Sequence, residues 1–180
     1  MNSAGLLVAP ADAVVEHDRQ QGYDDTYVSS ADRKYRWRFE RRWGDGRTIT
    51  WIGCNPGTRD TDGLQRPALR RMVTLSRASG YGGLILVNLF GIRARDPKLL
   101  RAAGDPVGEH NDEMIQYATS ASVSDMTVAC WGHHGRINDR AQYVLDKVVY
   151  GDVYCLGVTK QGEPRHPLFV PADARMIPYM

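Results

Sequence analysis

The sequence predicts an α/β protein, a three-layer α/β/α sandwich around a central, mostly parallel four-stranded sheet. Three observations lead there. Four short apolar runs, at residues 48–54, 83–90, 126–131 and 153–157, are continuous instead of alternating, the pattern of strands buried on both faces. The stretches between them carry apolar residues at helical spacing, and strands alternating with helices imply a parallel sheet covered by helices on both sides. The chain has 180 residues, 42% hydrophobic and 24% charged, which suits one globular domain with a core of its own.

The elements follow in order. Residues 1–30 mix Ala, Asp, Gln and Ser without a sustained period and read as a poorly ordered or loosely docked arm, leaving residues 31–180 as the single α/β domain. Residues 35–43 (YRWRFERRW) alternate aromatic and basic side chains, as a half-buried strand does, and Gly44-Asp45-Gly46 turns the chain. Residues 48–54 (TITWIGC) form a buried strand that Asn55-Pro56-Gly57 ends sharply. Residues 66–78 place Leu69, Met72, Val73 and Leu75 on a helical stripe, stopped by Gly80. Residues 83–90 (GLILVNLF) are the second buried strand, residues 111–120 a helix, and residues 126–131 (MTVACW) the third strand. Residues 138–149 form a helix with Ala141, Val144, Leu145 and Val148 on one face, and residues 153–157 are the fourth strand.

In parallel sheets ligands bind beyond the carboxyl ends of the strands. Four polar segments fall there: residues 55–60, residues 88–90, Trp131-Gly132-His133-His134, and residues 157–168. Pro56 and Gly57 let the backbone turn tightly around a ligand, and the Asn55 amide can both donate and accept. Asp60 and Asp62, just downstream, offer a carboxylate to orient a water or act as a base, or else cap a loop. Trp131 can stack on a base or belong to the core. Neighbouring side chains of His133 and His134 are expected to point apart, a poor metal pair, and no spaced zinc pattern is present. Lys160, Arg165 and His166 lie in a Gly/Pro-punctuated loop suited to holding an anion and presenting His166 rigidly.

Net charge is only +2, yet residues 33–77 hold twelve Lys/Arg against four Asp/Glu. Such a basic region suits either a phosphate-bearing partner or a solvated face. Nucleotide-binding loops of the GxxxxGK[ST] and GxGxxG types and the GxSxG elbow are absent, so no cofactor is expected. No apolar run nears the ~18 residues of a membrane span, and no basic stretch precedes the short apolar segment near the N-terminus. Three widely spaced cysteines read as reduced, cytoplasmic thiols. Cys54, ending a buried strand, reads as a structural thiol in preference to a nucleophile.

Several of these segments together resemble the bacterial and phage domain-of-unknown-function family number sixteen forty-three. The matching features, in order, are the aromatic-basic strand, Asn55-Pro56, Val87-Asn88-Leu89-Phe90, Asp96-Pro97 with Leu99 and Leu100, Gly108 with Asn111-Asp112, Trp131-Gly132-His133-His134-Gly135, and Leu156 through Leu168. A farther resemblance is to the uracil-DNA glycosylase superfamily, whose mismatch-type members carry a Gly-x-Asn-Pro-Gly turn, here Gly53-Cys54-Asn55-Pro56-Gly57, and a closing His-Pro-Ser loop, here His166-Pro167-Leu168.

This second resemblance implies a glycosylase-like fold and chemistry at an N-glycosidic bond. Asn55 would position a water or the base, His166 would hydrogen-bond the base carbonyl, and Asn88 would read the Watson–Crick edge. Lys160, Arg165 and the basic region would hold phosphates of a nucleic acid or nucleotide. Leu168 stands where the superfamily has serine, and residues 59–66 depart from its pattern. The implied substrate is therefore a modified base, a free nucleotide or an intermediate of phage DNA modification. A non-catalytic nucleotide-binding module and an enzyme acting on a small phosphorylated substrate are the alternatives.

Overall fold

The computed structural model describes residues 8–57 and 66–179. Among them the chain forms one mixed eight-stranded sheet and three α-helices. The strands are β1 (Val14–Gln20), β2 (Tyr23–Ser29), β3 (Arg36–Arg42), β4 (Thr48–Gly53), β5 (Gly83–Asn88), β6 (Met126–Ala129), β7 (Val153–Cys155) and β8 (Ile177–Pro178). The helices are α1 (Pro67–Ala78), α2 (Asn111–Thr119) and α3 (Arg140–Lys147). Strand order is β1-β2-β3-β5-β4-β6-β7-β8.

The four predicted apolar strands are the block β5-β4-β6-β7, and every pairing within it is parallel. The sheet is larger than predicted, because antiparallel strands extend it at both edges. At one edge β1 and β2 form a hairpin on β3, within the stretch read as an arm. Its turn uses positive φ at Gln21 and Gly22, 47° and 82°, the geometry that matches the twist of a tight hairpin. Only one face of β1 packs inward, which is why this stretch lacks a strong apolar signature.

Successive residues of the parallel strands serve opposite layers. Trp51, Leu84, Leu86 and Val128 pack with Leu69, Met72 and Leu75 of α1. Ile52, Ile85, Val87 and Ala129 pack with Ile115 and Ala118 of α2 and Ala141 and Val144 of α3. This is why those strands read as unbroken apolar runs.

The aromatic-basic strand β3 is almost wholly buried, not half-buried, because β2 and β5 flank it and both faces are covered. Two of its four arginines are spent internally. Arg41 donates to both oxygens of Asp25, with Nε at 2.7 Å, and lies 4.4 Å over the Tyr23 ring. Arg38 pairs with Glu40 at 2.7 Å and stacks 4.4 Å over Tyr117. Part of the local basic excess is therefore neutralised in the interior.

Candidate functional site

Because β4 to β7 run parallel, their carboxyl ends open on one side of the sheet. A cavity of about 720 Å³ lies there, within the range of small-molecule sites. It is lined by Gly53, Asn55, Gly57, Asn88, Trp131, His133, Lys160, Arg165 and His166, nine of the positions the sequence singles out. Pro56 is buried behind the wall, and its carbonyl accepts from Asn55 and from the Ala94 amide. Asp60 and Asp62 lie outside the described residues.

Asn88 ends β5 and is 3% exposed. Its amide nitrogen is fully buried and has no hydrogen-bond partner among the described residues. Leaving such a donor unpaired costs about 1–3 kcal/mol. Gly53 on the neighbouring strand makes room for it, since a Cβ there would sit 2.7 Å from Asn88 Oδ1. The backbone behind Asn88 is fastened from the opposite layer. Asn111 Nδ2 donates to the carbonyls of Asn88 and Leu89 at 3.0 and 3.1 Å, and Arg140 Nε donates to Leu89 at 2.8 Å. Arg140 is itself paired with Asp112.

Asn55 follows β4. Its Nδ2 donates to the carbonyls of Pro56 at 3.0 Å and Ala94 at 2.9 Å, so the amide braces the turn. Its Oδ1 is left as the group able to accept from a water or ligand. Cys54, beside it, has its thiol pushed up to about 12 by burial, which keeps it protonated and poorly nucleophilic.

After β6 the chain enters a tight 3₁₀ turn through Gly132, held at φ 68°. Trp131 is 1% exposed, a core residue that also lines the cavity. Its Nε1 donates to Glu163 at 3.0 Å, and Glu163 also accepts from Arg136 at 3.0 Å. That carboxylate ties the β6 turn to the loop after β7, a link reinforced by the Gly132 amide donating to Pro164 O. Contrary to expectation, His133 and His134 do not diverge: their rings lie 3.7 Å apart, tilted by 41°, on the same wall. Burial, with His133 alongside, lowers the His134 pKa. Among the described residues no group of three or more His, Cys, Asp or Glu is placed to hold a metal ion.

The loop after β7 folds back on itself, with Thr159 and Glu163 hydrogen-bonded and Arg165 bonded to Gly157. Arg165 Nε also donates to Val158 O at 3.0 Å, bracing the loop from its exposed side, and Lys160 stands exposed at the rim. His166 opens the short 3₁₀ turn Pro167–Phe169, and its Nδ1 accepts a long bond, 3.4 Å, from the Leu168 amide. This pattern assigns the proton of the neutral ring to Nε2. Burial lowers the His166 pKa, so the imidazole is neutral at pH 7 and Nε2–H is a donor.

Arg36, Arg66, Arg95, His134, Thr159 and Phe169 also line the cavity. The sequence carried a regional signal for Arg36 and Arg66, the basic stretch of residues 33–77, but none for Arg95 and nothing to separate arginines facing the cleft from those buried in the sheet. Five of the described lining residues are Lys or Arg and none is Asp or Glu, while Leu69, Met72, Leu86 and Ala94 supply apolar wall. An anionic ligand with a flat, partly apolar body suits this combination.

The fold and cleft thus define an α/β sandwich with a cation-rimmed pocket at the carboxyl ends of its parallel strands. The family described as "Protein of unknown function (DUF1643)" matches residues 36–168, and the chain belongs to that family. The match begins at β3 and ends beside His166, so it spans every strand that contributes to the cavity. No curated protein and no solved structure matches the chain. Among the described residues no helix is long and apolar enough to cross a membrane.

Proposed function

We propose that the cavity receives a nucleobase carrying a sugar phosphate, and that the protein acts at the N-glycosidic bond. The observation that carries this reading is the buried, unpartnered Asn88 amide in a cavity rimmed by cations. A buried donor of this kind is satisfied by a ligand acceptor, as a base carbonyl or ring nitrogen provides, and the cations suit the phosphate. The Gly53-Cys54-Asn55-Pro56-Gly57 and His166-Pro167 motifs and the order of strands and helices along the sequence resemble those of the uracil-DNA glycosylase superfamily, and this resemblance in sequence supports the choice of bond.

In this reading His166 Nε2 donates to the base carbonyl as the C1′–N bond lengthens and negative charge gathers on the departing base. Asn55 Oδ1 accepts from the water that attacks C1′, while its amide hydrogens keep the turn rigid. Water supplies hydroxyl to C1′, and its proton ends on the released base. Losing one such donor to a developing anion costs ~2.7–4 kcal/mol, a 10²–10³-fold fall in turnover.

The test is base release from single-stranded oligonucleotides and mononucleotides carrying natural and modified bases. His166→Ala is expected to slow release by about 10²–10³-fold while binding persists; Asn88→Ala is expected to weaken binding. Equal loss of binding and turnover in His166→Ala would remove it from the chemistry. Tight binding without release of any base would leave a binding module on the same pocket, a reading favoured by the use of the Asn55 amide in bracing its own turn.

A further inference from the structure

The outer face of α1 has no part in the cavity, yet its charge is one-sided. The helix contains Arg70, Arg71 and Arg77 and no acidic residue. Arg70, Thr74 and Arg77 are exposed and, at spacings of four and three, share one face. Neither Arg70 nor Arg77 has a carboxylate partner among the described residues; Arg77 lies over the rings of Tyr23 and Trp43, at 5.4 and 5.2 Å. On β2, whose Tyr23 shares this groove, Asp25 is engaged by Arg41 and Asp24 by Arg19. Arg70, Thr74 and Arg77 line a groove of about 610 Å³ with Tyr23 and Arg41.

This face leads to the cavity mouth. Arg66, at the start of α1, lines the cavity, and from there to Arg77 the helix rises ~16 Å at about 1.5 Å per residue. The turn bearing His166 packs on α1 and exposes Phe169, 75% accessible, at the rim. A row of cations follows the phosphates of a single strand, while Phe169, on the flank of α1 where Arg71 bonds Pro171, borders the cavity and offers its ring to an unpaired base there.

We infer that the ligand is one residue of a single-stranded nucleic acid, its base in the cavity and its flanking phosphates along the Arg70–Thr74–Arg77 face of α1. This rests on the nucleobase reading of the cavity. The row is single and lies on one helix, which suits one backbone and leaves a duplex's second strand without a partner. A free mononucleotide would make no use of it.

The test is fluorescence anisotropy with labelled dT12, over a range of salt, alongside a panel of the four deoxynucleoside monophosphates. The salt slope of dT12 binding falls by about 1.4 in the double variant Arg70→Gln/Arg77→Gln, at about 0.7 per lost phosphate contact. Arg70→Lys/Arg77→Lys restores it, and mononucleotide binding is the same in all three proteins. Phe169→Ala weakens dT12 by about 5- to 150-fold, the range for one stacked base. An unchanged slope and affinity in the glutamine variant would overturn the inference, as would binding of the matching duplex as tight as that of dT12. The parent reading fails separately: Asn88→Ala that leaves mononucleotide binding unchanged refutes the cavity assignment, whatever α1 does.

Discussion

Replacing Asn88 by alanine should move stability and binding in opposite directions. In the free protein the amide nitrogen is buried without a partner among the described residues, a burial that costs about 1–3 kcal/mol. Removing it relieves that cost. The atoms deleted border an open cavity, so no closed void forms and the cavity penalty of ordinary core truncations is largely missing. The expected result in urea titration is a midpoint equal to or above wild type, with an unchanged slope. Ligand affinity should fall by about 1–3 kcal/mol, or ~5- to 150-fold, since the bound acceptor loses its donor. Paired denaturation and titration measurements on one preparation decide the matter. Destabilisation of about 2 kcal/mol or more with affinity intact would refute the reasoning, because it would mean that Asn88 serves the fold.

Other expectations follow from neighbouring contacts. Gly53→Ala places a Cβ 2.7 Å from Asn88 Oδ1, so it should displace the amide, cost about 1–3 kcal/mol in unfolding and reproduce the binding loss of Asn88→Ala. Asp25→Ala leaves the buried Arg41 guanidinium without its carboxylate and should cost about 3–5 kcal/mol by chemical denaturation. Burial holds the His166 and His134 pKa values below 6.5, so the unfolded chain binds these protons first. Their contribution to stability is present above pH 6.5 and lost as pH falls through the folded values. The double variant His134→Gln/His166→Gln should flatten the fall in thermal midpoint below pH 6.5; an unaltered profile would assign the fall to other groups. Cys54, with its thiol pushed up to about 12, should alkylate with iodoacetamide at pH 8 far more slowly than a free thiol, as followed by mass spectrometry.

The parallel block was legible because its physics is local to each strand. Ile49, Trp51 and Ile52 must be apolar on every side when helices cover both faces, and that writes an unbroken run into the sequence. The end of each such run marks where a site was to be sought, so Asn55, Asn88, Trp131 and the loop bearing His166 could be named as candidates, and the structure brings them to one cavity. The β1–β2 hairpin left no comparable trace: one face of β1 is solvated, and its register depends on β3, which comes later in the chain.

Only the tertiary structure decided which charges and amides are spent. Arg38, Arg41, Arg70 and Arg77 look alike in a basic stretch, yet the first two are buried against Glu40 and Asp25 while the others face solvent. Asn55 and Asn88 both stand at the ends of buried strands; one amide is consumed by Pro56 and Ala94 and the other has no hydrogen-bond partner among the described residues. Hydrogen-bond satisfaction and ion pairing depend on groups brought near from distant parts of the chain. The sequence by itself therefore determines where the strands end and which polar side chains stand there, and the packing of those ends determines which remain available to a ligand.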